Sequence, residues 1–448
     1  MIFSKIKIHI YKFLQVLKSP VVQNLATVGI ITLIIKVLGF FKETVVASTF
    51  GLSELLDTFY IAMLIPAFIS NVFLGAFRSV FIPNYIRESK TSLNIGSFQA
   101  TGFLITLVVA LIFTIIAILF TDTYIETFFA NHTESYYYLI KIQFYFVLPC
   151  ILLWGFSSLL RGLLNISDEF KFSTISGVFL PISVLFCLFF FKEALEEKVL
   201  AVGTLIGTIL DFSFLLIISL KKGVIVLGKP NFKSDNSKLM IAQIPAKVSS
   251  GFLTGLIPVT DQYFAAQLAI GSIAALNYGL KVPAFLTGII VIAINNVILP
   301  YFSKLAIEDK KNAFKKLFII LKKLFLISAI LATIVILFSN SLIELLFERD
   351  SFTSENTAMV SKIQIIFLIY APFTVSGMVL VNFLTSINKN NFLALVSFIA
   401  VVLNVILDFI FMEIYGIYGI AICTTCIVII RFLIILKYTI KENNRLTT

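Results

Sequence analysis

Eight ionisable side chains stand inside, or at the ends of, long apolar runs: Lys36, Lys42, Glu43, Asp57, Arg78, Lys247, Asp261 and Lys281. Charge in hydrocarbon is costly, so such residues mark substrate or ion pathways, or else pair structurally. Cations outnumber anions in this set. In a cavity of low dielectric, several ammonium groups would attract an anionic substrate such as a pyrophosphate, each lysine acting as a point charge rather than a bidentate fork. Lys36, Lys42, Asp57, Arg78, Lys247 and Lys281 are therefore the candidate substrate-binding residues. Glu43 and Asp261 are candidates for an ion site or a salt bridge; Lys36 and Glu43, seven residues apart, share one helix face. The competing role for Lys42, Asp57, Arg78 and Lys141 is snorkelling to a nearby membrane surface. Lys36 and Lys281 lie deeper. Asp211, Asp408 and Arg431 read as helix-packing partners, and Asn295, Asn296 and Asn382 as interhelical hydrogen-bonding groups.

Other chemistry is poorly supplied. Cys150, Cys187, Cys423 and Cys426 all lie in apolar runs, and the Cys423/Cys426 spacing has no second pair or histidine to complete a metal site, so these are expected to be inert thiols and no metal is expected. The two histidines, His9 and His132, stand in a lysine-bearing segment and a polar loop. The loops pair no His or two carboxylates in an acid–base arrangement, and no phosphate-cradling glycine loop is present. The chain is expected not to be an enzyme and to carry no cofactor; a coupling ion, a proton or the membrane potential would have to drive it.

The elements that position these charges follow from composition. Of 448 residues, 59% are hydrophobic and 13% charged, and the mean hydropathy is +1.02. Soluble proteins carry about 25% charged residues, so a soluble fold is excluded. Twelve apolar stretches, near 21–41, 56–82, 99–120, 138–160, 172–191, 199–220, 239–258, 274–300, 317–339, 362–384, 392–413 and 417–437, are each long enough to cross about 30 Å of hydrocarbon as a helix. Their length and lack of alternation exclude a barrel. The formal charge of +11 would suggest nucleic acid in a soluble protein; here it fits basic cytoplasmic loops. Lys and Arg crowd the N-terminus, 87–90, 221–238, 304–316 and 437–445, whereas 121–137 holds only acidic charges and 262–275 holds none beyond the preceding Asp261. Both termini are therefore expected in the cytoplasm, in agreement with an even helix count.

Residues 1–20 read as an amphipathic cytoplasmic lead-in rather than a cleavable signal. The polar segment 221–238 divides a lobe at 21–220 from a lobe at 239–437, with a cytoplasmic tail at 438–448. The fold class expected is an all-α polytopic membrane protein, two six-helix lobes related by a pseudo-twofold along the membrane normal. Sequence repetition supports the halves. Ile65-Pro66-Ala67-Phe68 recurs as Val282-Pro283-Ala284-Phe285, and Pro83 and Pro300 each follow the first proline by seventeen residues. Proline removes a backbone donor and permits a bend, so Pro66, Pro83, Pro283 and Pro300 are the expected hinges of lobes that rock about a central site.

Gly39-Phe40-Phe41-Lys42-Glu43, Ala47, Phe50-Gly51, Asp57, Phe59, Ala62, Ile65-Pro66 and Phe81-Ile82-Pro83 resemble the opening helices of the MviN/MurJ family of the multidrug/oligosaccharidyl-lipid/polysaccharide exporter superfamily. Leu276-Asn277-Tyr278, Lys281, Pro283, Leu299-Pro300 and Ser303 are similar to its eighth helix, and the Asn404 region through Gly416-Ile417 and Gly419-Ile420-Ala421 also matches. The resemblance implies a flippase that moves a polyprenyl-pyrophosphate-linked saccharide, lipid II or a surface-polysaccharide precursor, across the bacterial inner membrane by alternating access. It maps the family's cavity arginines onto Lys36, Lys42 and Lys281 and its cavity aspartate onto Asp57. The chain departs from the family at Ser70-Asn71, where a basic pair is usual, at Leu74 in place of a glutamate, and at Leu280 and Ala284 in place of acidic residues; twelve helices are expected against fourteen. The alternatives are an ion-coupled multidrug antiporter of the same superfamily, which for cationic drugs would need an acidic cavity, and a membrane-embedded polysaccharide polymerase or ligase. The expected partners are the lipid-linked saccharide and the bilayer, not nucleic acid, and the chain is expected to be a monomer.

Overall fold

The structure, a computed structural model, describes residues 20–91, 94–130 and 132–445; the expected lead-in at 1–20 lies, but for Pro20, outside the described residues. Among the described residues there is no strand. The helices run, in order, α1 (Pro20–Phe50), α2 (Glu54–Ile69), α3 (Gly75–Thr91), α4 (Ile95–Leu119), α5 (Thr121–Phe128), α6 (Glu134–Ile166), α7 (Phe170–Ile175), α8 (Phe179–Leu195), α9 (Val199–Lys221), α10 (Asp235–Ala265), α11 (Ser272–Glu308), α12 (Lys310–Leu337), α13 (Ser339–Phe347), α14 (Ser354–Ser386), α15 (Asn390–Tyr415) and α16 (Ile417–Asn444). Each of the twelve apolar stretches falls within this helical framework, as it must where no water can satisfy backbone groups. Eight described helical runs are long and apolar enough to cross a membrane, and one of them, 170–221, takes in two expected stretches. Large apolar side chains such as Phe190, Leu119, Leu337 and Leu345 remain exposed, which suits contact with lipid.

One helix differs from its repeat. α11 runs unbroken through Pro283 and Pro300 for 37 residues. The matching segment is interrupted: four residues after Pro66 the chain makes a π turn, Ser70–Leu74, before α3 begins. The Gly75 N–H donates to the Ser70 carbonyl, which inserts one extra residue into the turn and resets the face that α3 presents. Of the expected hinges, Pro66 and Pro283 are buried and Pro83 is exposed.

The chain divides into two compact units. The first comprises the chain to Val45 with 62–123 and 138–248. In it α8 and α9 approach closely because Gly203 and Gly207 stand one turn apart on α9: a Cβ at Gly207 would lie 2.8 Å from the Leu180 Cα, and one at Gly203 would lie 3.0 Å from the Val184 Cα. Phe77, Phe81, Phe98, Leu160 and Leu163 form an adjacent core, with Phe81 and Phe98 stacked at 5.5 Å. The segment after α9 is strapped onto the start of α4. Gln99 accepts from the Val226 N–H at 2.8 Å and donates to the Val224 carbonyl at 2.9 Å, while Ser97 donates to the Lys229 carbonyl and Thr101 accepts from the Asn231 N–H. These bonds satisfy backbone groups that an irregular segment would otherwise leave unpaired.

The second unit comprises 46–61, 124–137 and 249–448. α14 is its centre, packing on α11, α12, α13 and α16. Phe383 on α14 meets Phe302 at 5.1 Å and Phe314 at 4.7 Å, both edge-on and fully buried. Polar fastenings accompany the packing: Gln364 donates to Ser339 at 2.8 Å, and the Asp309 side chain caps α12 through the Asn312 N–H. The boundary between the units falls within α10, between Val248 and Ser249.

Candidate functional site

The candidate residues are shared between the units. Lys36, Lys42, Glu43, Arg78 and Lys247 belong to the first; Asp57, Asp261 and Lys281 belong to the second. On α1, Lys42 and Glu43 form an ion pair at 2.5 Å, and Lys36 lies under two turns earlier on the same helix, half-buried. Arg78 on α3 and Lys247 on α10 are exposed. The expected packing partner Asp211 is paired with Arg161, which also donates through Nε to Ser176 at 3.0 Å. Lys141, expected to snorkel, is bound to Asp122 at 2.6 Å.

In the second unit Lys281 is half-buried on α11, its ammonium 6.0 Å from the Tyr60 ring centroid. That distance is at the limit of a cation–π contact, which holds a lysine charge without neutralising it. Asp57 is only 2% exposed, and both its oxygens are occupied. Oδ2 accepts from the Gly271 N–H at 2.6 Å and Oδ1 from the Ala274 N–H at 2.7 Å, so the carboxylate caps the N-terminus of α11, where backbone donors and the helix dipole favour an anion. Gly271 is required there: its φ is +92°, and a Cβ would stand 2.6 Å from the Leu52 carbonyl oxygen. Nearby fastenings run alongside. The Ser351 N–H donates to the Ser48 carbonyl at 3.0 Å, and His132, stacked on Tyr136 at 3.9 Å, reaches the Ala266 carbonyl at 2.9 Å.

Asp261 is the hub of a polar cluster inside otherwise apolar helices. Its Oδ1 accepts from Asn404 Nδ2 at 3.1 Å and its Oδ2 from Thr424 Oγ1 at 2.8 Å; Thr260 donates to Asn404 Oδ1. Asp408, one turn beyond Asn404 on α15, is fully buried beside Asp261, Asn404 and Cys423, and neither of its oxygens meets a described residue in good hydrogen-bond geometry. The carboxylates of Asp261 and Asp408 are hard oxygen donors of the kind that suit an alkali or alkaline-earth cation rather than a soft metal, while Asn404 turns its Nδ2 to Asp261 and its Oδ1 to Thr260. Asn404 and Asp408 share a face at helical spacing, a signal present in the sequence; that this face meets Asp261 and Thr424 is a matter of how α10, α15 and α16 pack. Cys423 belongs to the same cluster, 3.6 Å from Asn404.

Known proteins match this chain along most of its length. The model of the family described as lipid II flippase MurJ matches residues 46–447. A probable lipid II flippase MurJ of Vibrio cholerae is 28% identical over 439 residues, covering 92% of this chain and 80% of that protein. One from Buchnera aphidicola subsp. Schizaphis graminum is 28% identical over 356 residues, covering 76% of this chain and 68% of that protein. Among solved structures, a lipid II flippase MurJ in an inward closed conformation has a TM-score of 0.79 at 24% identity, over 92% of this chain and 87% of its own. An inward-facing multidrug resistance MATE family transporter of the MOP superfamily has a TM-score of 0.78 at 14% identity, over 93% and 98%. The structural likenesses speak for the fold, which two families share; the family model, spanning nearly the whole chain, decides between them, and the chain belongs to the lipid II flippase MurJ family.

Proposed function

We propose that this chain is a flippase that carries a polyprenyl-pyrophosphate-linked saccharide, lipid II foremost, across the bacterial inner membrane by alternating access, with both termini in the cytoplasm. The observation that carries the reading is the family match over residues 46–447. The cationic residues of the membrane helices supply the chemistry. Lys36, Lys42 and Lys281 would take the pyrophosphate as point charges, and the polyprenyl tail would stay in lipid. Asp57 holds the start of α11 through the Gly271 and Ala274 N–H groups. Such a transporter needs no catalytic group.

A cation held by Asp261 and Asp408 would neutralise two neighbouring carboxylates, and would bias the cycle if its affinity differed between states. The pair Lys36→Ala, Lys281→Ala should abolish lipid II flipping in proteoliposomes while the protein still inserts and melts as the wild type does, and the two Arg variants should keep most of it. Transport retained by the double alanine variant would remove these lysines from the site. Asp261→Asn with Asp408→Asn should remove any dependence of flipping on sodium; a dependence that persists would place the ion elsewhere.

A further inference from the structure

α12 carries charge where a spanning helix usually has none. Lys310, Lys311, Lys315, Lys316, Lys322 and Lys323 are all exposed, and the helix contains no acidic residue. Lys315 and Lys316 precede Lys322 and Lys323 by seven residues, so the pairs stand above one another on one face. No ion pair among the described residues engages any of the four. Lys322 lies five residues, or roughly 8 Å, inside the apolar stretch that begins near 317, within reach of an interface for an extended lysine.

Beside these lysines the surface is concave. α12 and α16 both pack on α14, and between them opens a groove of about 500 Å³ lined by Phe318, Leu321, Lys322, Phe325, Leu326 and Phe432. Aromatic rings make its walls firm: Phe373 of α14 meets Phe325 at 5.3 Å and Phe432 at 5.5 Å, both edge-on. An apolar trough with a single cation in its lining, on a helix that carries further cations and no anion, complements one kind of molecule: a chain of hydrocarbon ending in a phosphate. A neutral lipid would leave the lysines without a partner, and a soluble anion would leave the trough unfilled. Basic pockets between membrane helices bind anionic lipid headgroups for this reason.

We propose that the groove between α12 and α16 is a binding site for an anionic phospholipid, one acyl chain lying against Phe325 and Phe432 and the headgroup phosphate held by Lys322 with Lys315 one heptad away. The site rests on the chain's being a membrane protein and not on which substrate is flipped. Native mass spectrometry of the purified full chain tests it, with phosphatidylglycerol and phosphatidylcholine of identical acyl chains. The wild type should retain the anionic lipid preferentially. Lys315→Gln with Lys322→Gln should reduce that retention by about fivefold per lysine, the weight of one lysine beside an anionic surface, at an unchanged melting temperature. Equal retention of the two lipids, or unchanged retention by the variant, would overturn the proposal. So would displacement by inorganic phosphate, which would mark a bare anion site, displacement by a lower concentration of polyprenyl phosphate, which would assign the groove to the substrate's tail, or a dimer whose formation excludes the lipid.

Discussion

Asp57 illustrates how a buried charge is held. Its two oxygens are taken by two backbone donors at the start of α11, so the cost of dehydrating the carboxylate is offset by groups that would themselves be orphaned without it. Asp57→Ala should therefore lower the stability of the detergent-solubilised protein by about 1–3 kcal/mol, the range for loss of charged helix-capping bonds. Asp57→Asn, which keeps one acceptor oxygen, should lose less. Thermal unfolding checks both, and an alanine variant that melts with the wild type would show that the cap contributes nothing. Lys281 presents the contrasting case. Its ammonium lies 6.0 Å from the Tyr60 ring face, whereas Lys42 is ion-paired with the neighbouring Glu43.

The close contact of α8 and α9 depends on two missing side chains. A methyl at Gly207 would press on backbone at Leu180, which cannot swing aside as a side chain can. Gly207→Ala should cost about 1–3 kcal/mol, as overpacking does, despite the helix propensity gained. Gly288 on α11 has nothing among the described residues within 4 Å of its would-be Cβ, so Gly288→Ala should be neutral or slightly stabilising. Melting temperatures of the two variants separate close packing from propensity; equal shifts would refute the packing account. The π turn at Ser70–Leu74 bears on the hinges. It places the backbone irregularity of the first repeat after Pro66, whereas α11 stays regular through Pro283. If Pro283 nevertheless bends during transport, Pro283→Ala should slow turnover and spare substrate binding. An unchanged rate would make it a packing residue.

For the whole molecule, the loop charges predict the topology. Cysteines placed at 125–135 should be labelled from outside the cell and those at 225–235 from inside; labelling of both from one side would refute it. The side chains at 226–233 are exposed and suit labelling, although the backbone of 224–231 is bonded to the start of α4. The same strap makes the connection between α9 and α10 a fixed part of the first unit rather than a loose tether. The unit boundary comes later, inside α10 at Val248–Ser249, next to Ser250 and Gly251.

The sequence by itself determined the helices and the class of molecule. An apolar run of twenty residues has one solution in lipid, since every backbone donor and acceptor must be met within the segment, and all twelve expected stretches are helical accordingly. The residues of the first helices, Lys42-Glu43 and Asp57 among them, also sufficed for the family resemblance. Tertiary structure decided which polar groups meet. Asp57 and Gly271 are 214 positions apart, and Asp261 reaches Asn404 across 143 and Thr424 across 163. Helical spacing states which residues share a face, as Asn404 and Asp408 do, but not which other helix that face meets. The partner is set by packing among α10, α15 and α16, which brings the Asp261 carboxylate to the Asn404 and Thr424 donors. For the same reason Asp408, read from sequence as a packing residue, takes its place in a candidate ion site only once the fold brings Asp261 beside it.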